Sequence, residues 1–399
     1  MSVRSLEDWF VAKTAPPKPL SGVRVLVRSD LNVPLDGDQI TDDTRVRASL
    51  GTIERLRKAG ARVIVASHLG RPKGRIVEDL SLAPVAEALT QQLGARVAFA
   101  RDCVGDDART QANALHDGEV LLLENLRFEE GETQNDPDFA AQLAGLADRY
   151  VNDAFGTAHR AHASTAGVVP FVEKSAAGDL LRKEVEQLRG VLSPERPLLC
   201  LLGGAKVSDK LGVLESLVER ADVLAIGGAM AYTFLSPRGE SVGDSLIEPE
   251  RLQAAQAVEQ AAQRTGCRLL LPTDHVVAQS INSEAKTQVV TEIPEGWMGV
   301  DIGPQTAKRY AQEAQTAQTI FWNGPMGVFE IDAFASGTER VARGVSEAKG
   351  FSVVGGGDSL AAVNRLQLGD QISHLSTGGG ASLEFIQGLT LPGLAALEN

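Results

Sequence analysis

The chain has 399 residues, 43% of them hydrophobic and 23% charged, and its 39 basic and 52 acidic residues leave a net charge of −13. At about 100–200 residues per domain, this length predicts two or three domains, each able to bury a core of its own. The acidic balance excludes the basic surface of a general nucleic-acid-binding protein, whereas a local basic cluster could still bind a small anion.

The start of the chain and its cysteines predict a cytoplasmic protein. Charged Arg4, Glu7 and Asp8 interrupt the first ten residues, so we expect no signal peptide there. No apolar run approaches the roughly 18 residues that a membrane-spanning helix needs. The three cysteines form no Cys-x-x-Cys pair, which argues against a disulfide framework and a zinc–cysteine site. We expect a monomer with no nucleic-acid or membrane partner.

Short apolar runs alternate along the chain with longer segments of helical periodicity. The runs predict strands at Val23–Val27, Val63–Ala66, Val97–Phe99, Val120–Leu123, Leu198–Leu202, Val223–Ile226, Leu269–Leu271, Thr319–Trp322 and Ser352–Val354. The predicted helices are Leu82–Leu93, Leu180–Leu192, Leu211–Val218, Leu252–Ala262 and Ala335–Ala348. Continuous apolar strands separated by helices indicate parallel sheets that are covered on both faces.

A single sheet of all these strands would be unusually wide, so the pattern favours two doubly wound α/β domains. A charged amphipathic helix over Asp179–Pro197 is the predicted joint between them, which places the domains at residues 1–185 and 186–387. Prolines at positions 16, 17 and 19 predict an extended segment over residues 10–20.

In parallel α/β sheets, ligands bind at the carboxyl ends of the strands. In the first half, these ends and the segments that follow them carry charged, amide or imidazole side chains: Arg28, Asp30, Asn32, His68, Arg71, Glu124, Arg127, Asn152, Asp153, His159, Arg160 and His162. Arg45 opens the next predicted helix. Arginine suits bidentate binding of carboxylate or phosphate, so this half predicts a basic pocket for an anion. The histidines have no metal-like spacing and are expected to support that pocket rather than to bind a metal.

The strand ends of the second half are rich in glycine. They hold Gly203–Gly204, Gly227–Gly228, Gly355–Gly357 and Gly378–Gly380. Glycine allows backbone N–H groups to approach a ligand, and a helix that follows offers unpaired N–H groups to a phosphate. A single glycine-rich loop after a strand is an ordinary turn, but four such loops in one half favour a binding site for phosphate and nucleotide. Asp358 could hold Mg²⁺ together with phosphate oxygens.

Lys206 and Lys210 are spaced i, i+4 at the predicted start of a helix. Cations are disfavoured at that end of the helix dipole, and a bound anion would relieve the conflict. The alternative, a solvated helix start, stays open.

Missing motifs separate the possible functions. The chain has no Gly-x-x-x-x-Gly-Lys-Ser/Thr loop, and no Gly-x-Gly-x-x-Gly follows the first strand, which weakens a dehydrogenase hypothesis. A two-lobed binding protein that closes on an anion is the other alternative. Such a protein would need neither glycine-rich loops in only one half nor the two lysines.

Several ordered segments resemble the phosphoglycerate kinase family. They are Arg28–Pro34, Ser67–Pro72, Glu124–Phe128, Asp153–His162, Gly203–Lys210, Trp322–Glu330, Gly355–Asp358 and Ser376–Gly380. The resemblance implies a two-domain, hinge-closing kinase whose C-terminal residues 388–399 return to the first domain.

The same resemblance implies the site residues. Phosphoglycerate would be bound by Asp30, Asn32, Arg45, His68, Arg71, Arg127 and Arg160. The nucleotide would be bound by Lys206, Lys210, Glu330, Gly356, Gly357, Asp358 and Ser359, with Asp358 near the Mg²⁺ that accompanies ADP or ATP.

The implied reaction moves a phosphoryl group reversibly from 1,3-bisphosphoglycerate to ADP, giving 3-phosphoglycerate and ATP by direct in-line transfer. Both acceptor groups are already ionised at neutral pH, which explains why no general-base motif is found. The reaction instead requires positioning and charge neutralisation, for which we expect Arg45 and Lys206. Domain closure would exclude water from the reactive acyl phosphate.

Overall fold

The structure, a computed structural model, describes residues 3–10 and 18–398. The chain divides into two compact units, Met1–Val185 with Thr390–Asn399 and Glu186–Leu389. The extended segment expected over residues 10–20 lies largely outside the described residues. Within the described ranges, none of the helices has both the length and the apolar character needed to cross a membrane.

Strands and helices alternate through most of the described chain. The strands are β1 Arg24–Arg28, β2 Leu35–Asp36, β3 Gln39–Ile40, β4 Arg62–Ala66, β5 Val97–Phe99, β6 Val120–Leu122, β7 Arg149–Asn152, β8 Lys174–Ala177, β9 Leu198–Leu202, β10 Val223–Ile226, β11 Arg268–Leu270, β12 His275–Ala278, β13 Gln288–Val290, β14 Met298–Ile302, β15 Thr319–Asn323, β16 Phe351–Gly355 and β17 His374–Ser376. The α-helices are α1 Thr44–Lys58, α2 Ala83–Leu93, α3 Asp106–Ala114, α4 Glu130–Gln134, α5 Pro137–Ala144, α6 Asp179–Leu192, α7 Leu211–Val218, α8 Met230–Leu235, α9 Leu252–Thr265, α10 Pro304–Thr316, α11 Ser336–Ser346, α12 Gly357–Arg365, α13 Gly380–Ile386 and α14 Pro392–Ala395.

The first unit is built on a parallel sheet with the strand order β5-β6-β4-β1-β7-β8. Val25, Leu26 and Val27 of β1 are almost completely buried, because the sheet is covered on both faces. Chain order changes direction between β1 and β7. In open α/β sheets a ligand crevice lies at the carboxyl ends of such a strand pair.

The second unit repeats this plan with the strand order β11-β10-β9-β15-β16-β17, again entirely parallel. Every residue of β9 is buried, and so is Trp322 in β15, whose Nε1 donates to the Gly324 carbonyl at 2.8 Å. Here chain order changes direction between β9 and β15. The predicted α/β class with two parallel sheets is confirmed.

Some strands escape prediction because they lack a continuous apolar run. β8 reads Lys-Ser-Ala-Ala, and the Arg149 end of β7 is charged. The second unit also contains an antiparallel sheet, β13-β12-β14, in which Gln288 and Val289 are exposed. The second unit therefore contains one parallel sheet and one antiparallel sheet, and only the parallel sheet was predicted.

Helix α6 begins beneath the carboxyl end of β7. The buried Asp153 accepts the N–H groups of Leu180 and Leu181 through Oδ1, at 2.9 and 3.1 Å. A carboxylate on the first N–H groups satisfies donors that a helix cannot pair internally. Strand end and helix start are thus held together by one side chain.

The described C-terminal residues belong to the first unit. Gly393 N–H donates to the Ala158 carbonyl at 2.8 Å, and Arg4 N–H donates to the Leu397 carbonyl at 3.2 Å. These backbone contacts join the two ends of the described chain within one unit.

Removing a helix cap in the second unit should destabilise it measurably. The buried Asp274 carboxylate accepts the N–H groups of Gln305 and Thr306 at 2.9 and 2.8 Å, in the first turn of α10. We expect Asp274→Ala to lower the free energy of unfolding by about 1–2 kcal/mol, measured by urea unfolding. Asp332→Ala removes an exposed partner of Arg365 and should change it by less than about 0.5 kcal/mol. Equal effects of the two substitutions would contradict this assignment.

Candidate functional site

Asp30, Asn32 and Arg45 come together beside the carboxyl end of β1. Arg45, in the first turn of α1, donates from Nη1 to Asp30 Oδ1 at 2.7 Å. Asn32 Oδ1 accepts the Gly70 N–H at 2.9 Å and so connects the loop after β1 to the loop after β4. The Arg45 side chain is 35% exposed, which leaves part of its guanidinium accessible to an anion.

His68 is a buried imidazole surrounded by positive charge. Its Nδ1 lies 3.1 Å from Arg28 Nη2. Burial, followed by the charges of Arg28 and Arg127, holds the pKa of His68 well below its usual range, and Arg45 and Arg160 lower it further. His68 is therefore neutral at pH 7.

Three of the predicted arginines line one cavity of about 370 Å³ in the first unit: Arg71, Arg127 and Arg160. Lys73, Gly74, Glu130, Thr133 and Gln134 complete its lining. Burial, followed by repulsion from Arg160, lowers the pKa of Arg127 to about 10, so Arg127 remains cationic at neutral pH. Its Nη1 donates to the Gly70 carbonyl at 2.7 Å. A cavity with this charge suits a phosphate-sized anion.

In the second unit, the loops after β9 and β15 cross at a distance that excludes side chains. A Cβ on Gly203 would lie 2.0 Å from the Pro325 carbonyl oxygen, and a Cβ on Gly324 would lie 2.1 Å from that of Gly203. The Gly203 N–H donates to the Asn323 carbonyl at 3.0 Å. Glycine is therefore required at both positions, since only glycine lets the two backbones approach in this way.

Helix α12 begins directly at the glycine-rich loop after β16. Gly356 caps it with a φ of +93°, a conformation that favours glycine. The helix begins at Gly357, so Asp358 lies within its first turn. The first N–H groups of such a helix form a ready site for phosphate.

Gly204, Glu330 and Asp358 line a second cavity, of about 220 Å³. Its other lining residues are Ala205, Gly228, Ala229, Tyr232, Gly299, Val300, Asp301, Pro325, Met326, Gly327 and Val328. Small and apolar residues dominate this set, and polar groups are few. Such a lining is typical of a pocket for a small organic ligand such as a nucleotide base.

The lysine pair does not lie on a helix as predicted. Lys206 lies in the segment before α7, and Lys210 is the residue directly before that helix. Between them, the Glu248 carboxylate accepts the Ser208 N–H at 3.0 Å. Lys206 is exposed. Lys210 is half-buried and donates from Nζ to Asn323 Oδ1.

The remaining predicted nucleotide residues lie around the cavity rather than in its lining. Ser359 is fully buried, and its Oγ accepts the Gly324 N–H at 2.6 Å. That hydroxyl therefore orients the loop after β15 from below. The Lys206 side chain, Gly356 and Gly357 also lie outside the described lining.

Sequence reasoning missed several residues of these sites. Lys73 follows the His68–Pro72 segment, and its basic charge was the one available signal. Asp301 lines the second cavity, accepts the Gly337 N–H at 2.6 Å, and has its pKa raised to about 7 by burial. It belongs to β14 of the antiparallel sheet, which apolar runs do not reveal.

The residues of the second unit suit a metal ion that binds together with a phosphate-bearing ligand. Among the described residues, no group of three or more His, Cys, Asp or Glu side chains could hold a metal by itself. Asp358 offers one exposed carboxylate at the start of α12, beside N–H groups suited to phosphate. Mg²⁺ commonly uses one or two carboxylates together with substrate phosphates, and this donor set fits that pattern.

A larger cavity, of about 510 Å³, lies between α10 and α11. Lys308, Arg340 and Glu339 are among its lining residues, and none of the predicted site residues reaches it. Its size alone does not make it part of either site.

Comparison with known proteins agrees with this geometry. The sequence model of the phosphoglycerate kinase family matches residues 18–389. The phosphoglycerate kinase of Moorella thermoacetica is 55% identical over 381 residues, which cover 95% of this chain and 97% of that protein. A wheat relative named "Phosphoglycerate kinase, cytosolic" is 51% identical over 386 residues, 95% of this chain and 96% of its own. The solved structure of phosphoglycerate kinase from Coxiella burnetii superposes with a TM-score of 0.89 at 41% identity and 99% coverage of both chains. These matches confirm the resemblance.

Anion binding in the second unit should depend on the protonation of Lys210. Burial lowers the pKa of Lys210 to about 8, against the opposing attraction of Asp358 and Asp209. A bound phosphate favours the ammonium form, so binding takes up a proton above that pH. We expect ADP affinity, relative to its value at pH 7, to fall by up to about tenfold per pH unit above pH 8, measured by calorimetry.

Lys210→Arg provides the matched control, because guanidinium stays protonated throughout this range. ADP affinity of this variant should stay level from pH 7 to 9.5. A level profile for the unsubstituted protein would remove Lys210 from the binding site.

Proposed function

The chain belongs to the phosphoglycerate kinase family, and from this we propose that it transfers a phosphoryl group reversibly between 1,3-bisphosphoglycerate and ADP. One observation carries the assignment of the two substrates. The first unit gathers arginines at the switch point of its sheet, whereas the second unit gathers glycine-rich backbone and a small apolar cavity. A compact, highly charged acid suits the former, and a nucleotide suits the latter.

Phosphoglycerate is assigned to the first unit. Its phosphate would be bound by Arg71, Arg127 and Arg160, which line the cationic cavity. Asp30 and Asn32 would contact its hydroxyl group from the loop after β1, where each carries an oxygen acceptor. Their support is the network that already joins Asp30 to Arg45 and Asn32 to Gly70. His68 would contribute a neutral imidazole to the same site.

The nucleotide is assigned to the second unit. The cavity lined by Glu330 and Gly204 would take the nucleoside, and the start of α12 at Gly356, Gly357 and Asp358 would face the phosphates. Lys206 and Lys210 would supply cations to those phosphates. Ser359 would act through the loop that its hydroxyl holds.

The transfer needs no general base, because a carboxylate and a diphosphate oxygen are ionised at neutral pH. The requirements are alignment of the two oxygens and neutralisation of charge on the transferring group. We assign this neutralisation to Arg45 and Lys206, both of which have accessible side chains. Asp30 orients Arg45 by a 2.7 Å hydrogen bond. Closure of the two units around both ligands would exclude water, which hydrolyses acyl phosphates.

Asp358 is the proposed protein ligand of Mg²⁺, together with the nucleotide phosphates. When bound, the ion neutralises phosphate charge and orients the phosphate chain. The wheat relative's printed description as cytosolic supports a cytoplasmic location, and a monomer remains our expectation.

A coupled assay tests the proposed reaction directly. ATP should form when 1,3-bisphosphoglycerate, ADP and Mg²⁺ are all supplied, and not when any one is omitted. A binding protein that closes on an anion would bind the ligands without forming ATP, and a dehydrogenase would require a nicotinamide cofactor.

The assignment of substrates to units predicts the effect of Arg160→Ala. Loss of one charge-assisted contact should weaken 3-phosphoglycerate binding by about 1.5–3 kcal/mol, while ADP affinity stays nearly unchanged. Calorimetry with each ligand measures both. Arg109→Ala removes an exposed arginine of the same unit and should change neither affinity. Loss of ADP binding in Arg160→Ala would show that the assignment is reversed.

Asp358→Asn should raise the Mg²⁺ concentration needed for half-maximal turnover. The amide keeps the size of the side chain but supplies no negative charge to the ion. Asp332→Asn, a change on a side chain that is 92% exposed, is the control. If titrations with Mg²⁺ coincide for both variants and the unsubstituted protein, Asp358 does not hold the metal.

A further inference from the structure

A chain of buried polar side chains in the first unit includes Glu132, which lies in α4 between Glu130 and Thr133, two residues that line the basic cavity. It consists of His68, Arg28, Ser164 and Glu132, which we call the buried relay. All four are at least nine-tenths buried, and Glu132 is completely so. Tyr150 donates its hydroxyl to the Ser164 carbonyl at 2.6 Å and braces this chain from the side. Of these residues, the proposed mechanism uses only His68.

The N–H donors of Arg28 determine the tautomer of His68. Arg28 Nε donates to Ser164 Oγ at 2.8 Å, Arg28 Nη1 donates to the Ser29 carbonyl, and Arg28 Nη2 lies 3.1 Å from His68 Nδ1. A guanidinium has no lone pair to offer, so Nδ1 must be the acceptor. In neutral His68 the proton is therefore on Nε2, which makes that nitrogen a hydrogen-bond donor.

Glu132 in turn determines which hydrogen bond the Ser164 hydroxyl donates. Glu132 Oε2 accepts the Ser164 N–H at 2.9 Å, and Oε1 accepts the Ser164 hydroxyl at 2.6 Å. Because the hydroxyl proton is committed to Glu132, a lone pair of Ser164 Oγ is left to accept from Arg28. His162 Nδ1 lies 3.6 Å from Oε1, farther away than either donor of Ser164.

The charge of Glu132 also opposes the repulsion among the arginines. Burial raises the pKa of Glu132, but His162, Arg28 and Ser164 outweigh it and hold that pKa below its usual value, so the carboxyl is ionised at neutral pH. A buried carboxylate that has both oxygens paired is an effective counter-charge to a buried guanidinium. Without it, Arg28 would lie buried next to other cations.

We propose that Glu132 is a positioning residue: through Ser164 and Arg28 it holds His68 as the Nε2–H tautomer, a neutral donor two residues from Gly70, whose carbonyl accepts from the cavity residue Arg127. The identity of the anion in the basic cavity as phosphoglycerate rests on the proposed function. The tautomer does not, because it follows from hydrogen bonds that Arg28 makes within the protein.

Nuclear magnetic resonance of ¹⁵N-labelled histidine tests the tautomer in the ligand-free protein at pH 7. The His68 resonances are identified by their loss in His68→Gln. We expect an acceptor-type Nδ1 and a protonated Nε2 in the unsubstituted protein. In Glu132→Gln and in Ser164→Ala, the Nδ1 resonance should shift towards a mixture of tautomers. A protonated Nδ1 in the unsubstituted protein would overturn the proposal.

Steady-state kinetics provides a second readout. If Glu132 only stabilised the fold, its substitution would not change the KM for one substrate and leave the KM for the other unchanged. Both variants should raise the KM for 3-phosphoglycerate by about five- to tenfold while the KM for ATP stays unchanged. Asp102→Asn is the matched control, since Asp102 of the same unit accepts the N–H groups of Gly105 and Ala108 at 3.0 Å, away from the buried relay. It should alter neither the tautomer nor either KM.

Two variants are used so that the test can be completed even when one of them does not fold. If Glu132→Gln does not fold, Ser164→Ala still breaks the buried relay with a smaller change. A folded variant that keeps both the tautomer and the KM for 3-phosphoglycerate contradicts the proposal. If the unsubstituted protein forms no ATP but shows the Nε2–H tautomer, the proposed function fails while the buried relay stands.

Discussion

Parallel strand pairing is the constraint on which both candidate sites depend. It brings the carboxyl ends of neighbouring strands to one edge of each sheet, so residues far apart in sequence become neighbours. In the first unit the ends of β1 and β4 bring Asn32 to Gly70. In the second, the ends of β9 and β15 bring Gly203 to Pro325. The buried strands that produce this register also make the edge rigid enough to position ligands.

The two sheet edges differ in what they offer to a ligand. The first concentrates cations that repel one another and must be held by hydrogen bonds, as Arg45 is by Asp30 and Arg127 by the Gly70 carbonyl. The edge in the second unit consists largely of glycine, so that backbone N–H groups remain accessible. The positive φ of Gly356 belongs to the same arrangement. Both arrangements suit phosphoryl transfer, which depends on positioning and on opposing charge rather than on proton removal.

Buried polar groups accompany both arrangements. Glu132 lies under the cations, Asp153 joins a strand end to the start of α6, and Asp301 holds the start of α11 against the apolar cavity. Each carboxylate accepts backbone or hydroxyl donors that burial would otherwise leave unpaired. These buried carboxyl groups thus fix the backbone and side chains around both candidate sites.

Much of this could be predicted from the sequence, and the limits have physical reasons. Continuous apolar runs identify strands buried on both faces, and the polar or glycine-rich residues after them identify the ligand-binding edges; the family resemblance rests on the same segments. Half-exposed strands such as β13, and the turn that carries Lys206 and Lys210, leave no such pattern. The turn donates a hydrogen bond to Glu248, 40 residues away, and hydrogen bonds between residues distant in sequence cannot be inferred from spacing. By itself the sequence determined the fold class and the kinds of residue at each edge, because these depend on local periodicity. Only the tertiary structure decided which side chains meet and which are buried, because both depend on contacts between residues distant in sequence.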